Sequence, residues 1–167
     1  MSLIDEIQCW DGKSAHDIAL IYEEHITSHD FIDELIEYCR VPESQKGSTW
    51  LIKRFCENNG KLTNNQTLRI LSLLPEYKHW ETKLHVLQIM TYFSIPASTK
   101  VEVEYFLRSC LEQNQKFVRA WSYNGFYMLA RQYPEYQEEV KQFFEMALHD
   151  ESASVKARIR NILKNGF

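Results

Sequence analysis

A basic residue recurs at Lys46, Lys83, Arg119 and Lys156, at intervals of 37, 36 and 37 residues, each near the start of an amphipathic stretch. A period of this length marks a chain built from one supersecondary unit stacked on copies of itself. A single helix pair cannot bury its apolar face alone, so neighbouring pairs must share a core. The surrounding residues keep the register: Val118-Arg119-Ala120 lies over Val155-Lys156-Ala157 and over Thr82-Lys83-Leu84. Between these segments, Val103, Phe106, Leu107, Cys110 and Leu111 follow the i, i+3, i+4, i+7, i+8 pattern of one buried helical stripe. Adding 37 gives Val140, Phe143, Phe144, Ala147 and Leu148, all apolar. Subtracting 37 gives Gln66, Arg69, Ile70, Leu73 and Leu74, apolar at the last three. Ile32, Leu35, Ile36 and Cys39 form a similar stripe shifted by one residue.

This pattern predicts nine helices, over about 14–28, 30–40, 43–59, 63–74, 79–93, 97–113, 115–132, 135–149 and 151–164. The fold class is all-α: an α-α superhelix, or short solenoid, of about four helix-pair repeats with a C-terminal capping helix. With only 5 Gly and 4 Pro, the chain lacks the turn residues of a sandwich or barrel. Thr63 with Gln66 reads as a capping box, Ser14 with Asp17 as a related cap, and Gly60 as a C-terminal cap. Pro96 and Pro134 open two of the second helices, whereas Pro42 and Pro75 fall between repeats. One domain, 1–167, is expected: an N-terminal cap or degenerate repeat over 1–42, repeats over 43–77, 78–113 and 114–149, and a capping helix over 150–167. Ile18, Ile21, Tyr22, Ile26 and Phe31 would close the N-terminal end.

The segment DESASVKARIRNIL resembles the first helix of a HEAT repeat: an acidic residue, then Val-Lys/Arg, then alanine and an apolar run. NQKFVRAWSYNGF is similar, with Asn114 near the acidic position; the resemblance is good over about 78–165 and weak over 1–77. It implies stacked helix pairs and a role in binding proteins or nucleic acids. It also implies that the recurrent basic residue contacts the neighbouring repeat, which assigns Lys46, Lys83, Arg119 and Lys156 to the scaffold. A weaker similarity is to the bacterial DNA-alkylation-repair proteins. These use HEAT-like repeats and cradle damaged DNA with tryptophans and a catalytic aspartate on a basic concave surface. Trp50, Trp80 and Trp121 fit that texture, but Gly125, not aspartate, stands one turn after Trp121. Core packing is the simpler role for the tryptophans.

Several chemistries lack their residues. The net charge of -4 provides no global basic stripe, so nucleic acid is not the expected partner. Cys9, Cys39, Cys56 and Cys110 show no short metal-ligand spacing, and the last three fall on apolar helix sides, where a thiol acts as a small hydrophobe. His25 and His29 share one side of a helix end, but no second pair supplies further ligands, so a solvated helix terminus is expected and no metal or cofactor is assigned. No nucleophile elbow, zinc-protease or phosphate-loop motif occurs, and no catalytic residue is assigned. No apolar run is long enough to span a bilayer, and a cytoplasmic location is expected. The oligomeric state is not legible.

What remains is a surface. If the buried stripe is as above, Tyr105, Arg108 and Ser109 point away from it, with Gln142, Glu145 and Met146 as equivalents one repeat on and Leu68, Leu71 and Ser72 one repeat back. In HEAT arrays the second helices line the concave side. Leu68, Leu71, Tyr105, Arg108, Gln142, Glu145 and Met146 are therefore the candidate binding residues of a non-catalytic protein-interaction module. A mostly acidic rim suits a basic protein partner. The competing reading is a DNA-binding or alkylation-repair glycosylase-like protein.

Overall fold

A computed structural model describes residues 1–166. Phe167, the last position of the expected capping segment, lies outside the described residues. Among the described residues there are ten α-helices and no strand. They are α1 (Leu3–Cys9), α2 (Ala15–His25), α3 (Phe31–Tyr38), α4 (Pro42–Glu57), α5 (Asn64–Ser72), α6 (Trp80–Ile89), α7 (Lys100–Leu111), α8 (Lys116–Gln132), α9 (Gln137–Asp150) and α10 (Ala153–Leu163). The chain divides into two compact units, Met1–Tyr92 and Phe93–Phe167, and the division falls inside the expected 78–113 repeat.

In the first unit, α4 packs against α3 and α6, and α1 and α2 both lie on α4. Helix α1 was not expected. Its signal is short: Ser2 accepts from the Asp5 amide while the Asp5 carboxylate accepts from the Ser2 amide, and Leu3 and Ile7, one turn apart, are both buried. The Thr63–Gln66 capping box starts α5 as expected. Pro42, expected between repeats, instead occupies the first turn of α4, where its missing N–H leaves no bond unmade. At the end of α4 the left-handed residue is Asn59 (φ 67°), not Gly60. The amides of Asn59 and Gly60 donate to the carbonyls of Cys56 and Phe55, a Schellman ending. Gly60 is required by space, since a Cβ there would lie 2.5 Å from the Phe55 ring.

In the second unit α8 is the hub, packed against α7, α9 and α10. Gly125 permits the close approach of α8 to α7, because a Cβ would overlap Leu107 Cδ2. Pro96 and Pro134 precede α7 and α9 through single 3-10 turns, Ala97–Thr99 and Pro134–Tyr136, so both helices start later than expected.

The repeat is written in the side-chain bonds. In the first unit Thr49 Oγ1 meets His85 Nδ1 at 3.0 Å across 36 residues, and Lys46 Nζ donates to Glu81 at 2.8 Å across 35. Arg69 reaches back 36 residues to Asp33, and 32 residues to Glu37 at 2.7 Å. In the second unit Arg119 grips Glu151 through two nitrogens at 2.9 and 3.1 Å, and Arg108 meets Glu139 at 2.6 Å. Lys46 and Arg119 thus act as the inter-repeat struts the basic series implied. Each holds a carboxylate one repeat further on and loses little to solvent, with side-chain exposures of 25% and 19%.

Candidate interaction surface

The expected binding residues do not all reach the surface. Leu71 is 2% exposed and belongs to the core, which corrects its assignment. Thr67, Ile70 and Leu71 of α5 and Leu74 of the 3-10 turn after it are all buried, and lie 36 residues before Val103, Phe106, Leu107 and Cys110. Leu71 is therefore the counterpart of Leu107, and a step of 37 had rotated the α5 face by one residue. Leu68 stays outside at 39% exposure, beside Arg69, whose guanidinium is engaged by Asp33 and Glu37. Those two carboxylates hold the Arg69 cation above its ordinary value, the Glu37 hydrogen bond contributing most.

On α7, Tyr105 is 77% exposed and Val101, one turn earlier, 64%. On α9, Gln142, Glu145 and Met146 are all exposed. Arg108 is less available. It bonds Glu104 at 2.8 Å and Glu139 at 2.6 Å, and its guanidinium carbon sits 5.4 Å from the Phe143 ring centroid and 5.9 Å from that of Phe126. The Tyr136 hydroxyl donates to the other Glu104 oxygen at 2.9 Å, and burial raises its own ionisation to about 12. Arg108 is thus a link between α7 and α9. Glu102 on α7 and Glu138 and Glu145 on α9 are exposed and acidic.

The tryptophans are not core residues. Trp50, Trp80 and Trp121 are all half-buried. Arg158 lies 4.1 Å from the Trp121 ring centroid, Lys53 lies 5.9 Å from that of Trp50, and Lys46 lies 5.6 Å from that of Trp10. Cations cover these faces, and partial exposure follows. Gly125, where the alkylation-repair similarity would need an aspartate, faces Leu107 in the α7–α8 packing.

Burial makes the thiols of Cys39 and Cys56 poor nucleophiles, pushing them to about 12 and about 11. Cys9 is exposed. His29 falls in the turn after α2, and His25 at the helix end meets Glu6 of α1 at 3.2 Å, with Glu24 close by. Glu6 also lines an open cavity of about 340 Å³, together with Met1, Cys9, Trp10, Asp11, Asp17 and Ile21. Among the described residues no helix is long and apolar enough to cross a membrane.

Helix pairs bonded to one another at the repeat spacing define an all-α helical-repeat protein. The sequence profile of the HEAT repeat domain matches residues 13–166, and the chain belongs to that family. The match takes in the N-terminal half, where the sequence period fades. No curated protein and no solved structure matches the chain.

Proposed function

We propose that the chain is a non-catalytic protein-interaction module that uses the exposed faces of α7 and α9 to hold a basic segment of another protein. The observation that carries this reading is Tyr105: a large aromatic, 77% exposed, with Val101 on the same stripe and carboxylates on both helices. Aromatic anchors ringed by polar groups supply most of the energy at protein interfaces. HEAT-repeat membership supports binding as the general role. The excess of Glu102, Glu138 and Glu145 over Lys141, with Arg108 already neutralised, favours a positively charged occupant.

The test uses a panel of Lys/Arg-rich amphipathic peptides and their Glu-substituted counterparts, read by fluorescence anisotropy at low and high salt. Basic peptides should bind, salt should weaken them, and Tyr105→Ala should reduce affinity by about tenfold or more with unchanged circular dichroism. Equal binding by the Tyr105→Ala variant removes this placement. Tight, salt-sensitive binding of abasic or alkylated duplex DNA by the same preparation would replace the reading altogether.

A further inference from the structure

We infer that Glu6, Glu24 and His25 form a site for one divalent transition-metal ion, with zinc the best match to the ligand set. Their ligand atoms all lie within 4.8 Å of one another, and His25 Nε2 stands 3.2 Å from Glu6 Oε2. Tetrahedral nitrogen and oxygen ligands held about 2.0–2.2 Å from zinc are separated from each other by about 3.3 Å. The two half-buried ligands therefore already sit at the edge length of a zinc shell. Glu24 is exposed and closes by side-chain rotation. An imidazole with two carboxylates suits zinc better than calcium or magnesium, which take oxygen ligands throughout.

Two further observations single out this cluster. The bonds that bind repeat to repeat span 31 to 39 residues, from Arg108–Glu139 to Tyr127–Gly166, whereas Glu6 and His25 are only 19 apart. Repeat stacking does not account for the contact. The charges are also unbalanced: two carboxylates face one imidazole, and a divalent cation neutralises both. Helix α1 has 7 residues, too few to be stable alone, so an ion shared between α1 and α2 would fasten it. Three protein ligands leave one coordination position for water, and Glu6 also borders an open cavity with Cys9 and Trp10.

Calorimetric titration of the full chain with Zn²⁺, and separately with Mg²⁺ and Ca²⁺, tests this in a Cys9→Ser background, which removes the exposed thiol as a competing ligand. The expected result is one zinc per chain at micromolar affinity, weakened at least about tenfold by Glu6→Gln, by His25→Ala and by Glu24→Gln. Zinc should also raise the melting temperature of the parent and not of His25→Ala. Glu24 is exposed, so its variant keeps the test valid if the other two fail to fold. The inference is overturned by no zinc uptake in the Cys9→Ser chain, by uptake that survives these substitutions, or by preference for Mg²⁺ or Ca²⁺.

Discussion

His85 gives the first unit a pH-dependent stability that can be worked from its surroundings. It lies on α6 against α4, 7% exposed, with Nδ1 3.0 Å from the Thr49 hydroxyl. Thr49 Oγ1 also donates to the Gln45 carbonyl at 2.8 Å and lies 3.2 Å from the Lys46 carbonyl. Burial lowers the imidazole from 6.5 to about 3, and the Lys53 and Lys46 cations push the same way. Between those values the unfolded chain binds a proton that the folded chain refuses. The contribution is therefore intact above 6.5 and is lost as pH falls through 6.5 toward 3. At pH 5 the loss relative to pH 7 is about 2 kcal/mol.

Urea unfolding of the parent and His85→Gln at pH 7 and pH 5 isolates this residue, since every other titrating group is common to both chains. The parent should lose about 2 kcal/mol more than the variant on going to pH 5. Gln can donate to or accept from Thr49 and carries no titrating group. The imidazole resonances of the parent provide a second reading that needs no variant: the His85 signal should stay neutral down to pH 5. An identical pH dependence in both chains, or a His85 midpoint above pH 6, refutes the reasoning.

The Arg119–Glu151 pair is part-buried, with side-chain exposures of 19% and 14%. Removing either partner strands the other, so Arg119→Met and Glu151→Gln should each cost about 2 kcal/mol; a double-mutant cycle by denaturant unfolding should return a coupling above about 1 kcal/mol. Gly125→Val should lower the melting temperature through overlap with Leu107, costing about 1–3 kcal/mol, and Leu107→Ala in the same chain should restore part of it. Absence of any rescue would show that the cost lies elsewhere.

The period announced the helices of both units because each repeat has to place an apolar stripe and a strut at the same offset. Lys46 and Arg119 were legible for that reason. Helix α1 was not: seven residues carry two buried side chains, too few to form a periodic signal, and only the Ser2–Asp5 cap betrays it. Leu71 failed through a one-residue step, since 36 and 37 differ by about a third of a helical turn. The same rotation separates a core leucine from an exposed one. The half-exposure of Trp121 escaped because the cation that covers it comes from elsewhere in the sequence: Arg158 on α10 covers Trp121 on α8. His25 was legible as a residue but not as a site, because its partner Glu6 stands on the helix that the pattern missed.

On the proposed reading, the ion pairs also decide where in the second unit a basic partner would settle. Lys100, Arg108 and Arg119 are held by Glu135, Glu104 with Glu139, and Glu151, so these cations contribute little outward field. Helix α10 carries Lys156, Arg158 and Arg160 and no acidic residue, and so repels such a partner. Exposed carboxylates outside these pairs are Glu102 on α7, Glu112 at its end, and Glu138, Glu145 and Asp150 on α9. Charge reversal should consequently be asymmetric. Glu138→Lys with Glu145→Lys should slow association of a basic peptide by roughly tenfold at low salt, and the effect should shrink as salt screens it. Arg160→Glu, on the helix that does not take part, should change the rate by less than about twofold. Stopped-flow association measures both. A slowing by the first change matched by a proportionate acceleration by Arg160→Glu, in the ratio of their opposite charge changes, would mean that net charge, rather than the α7–α9 surface, draws the partner in.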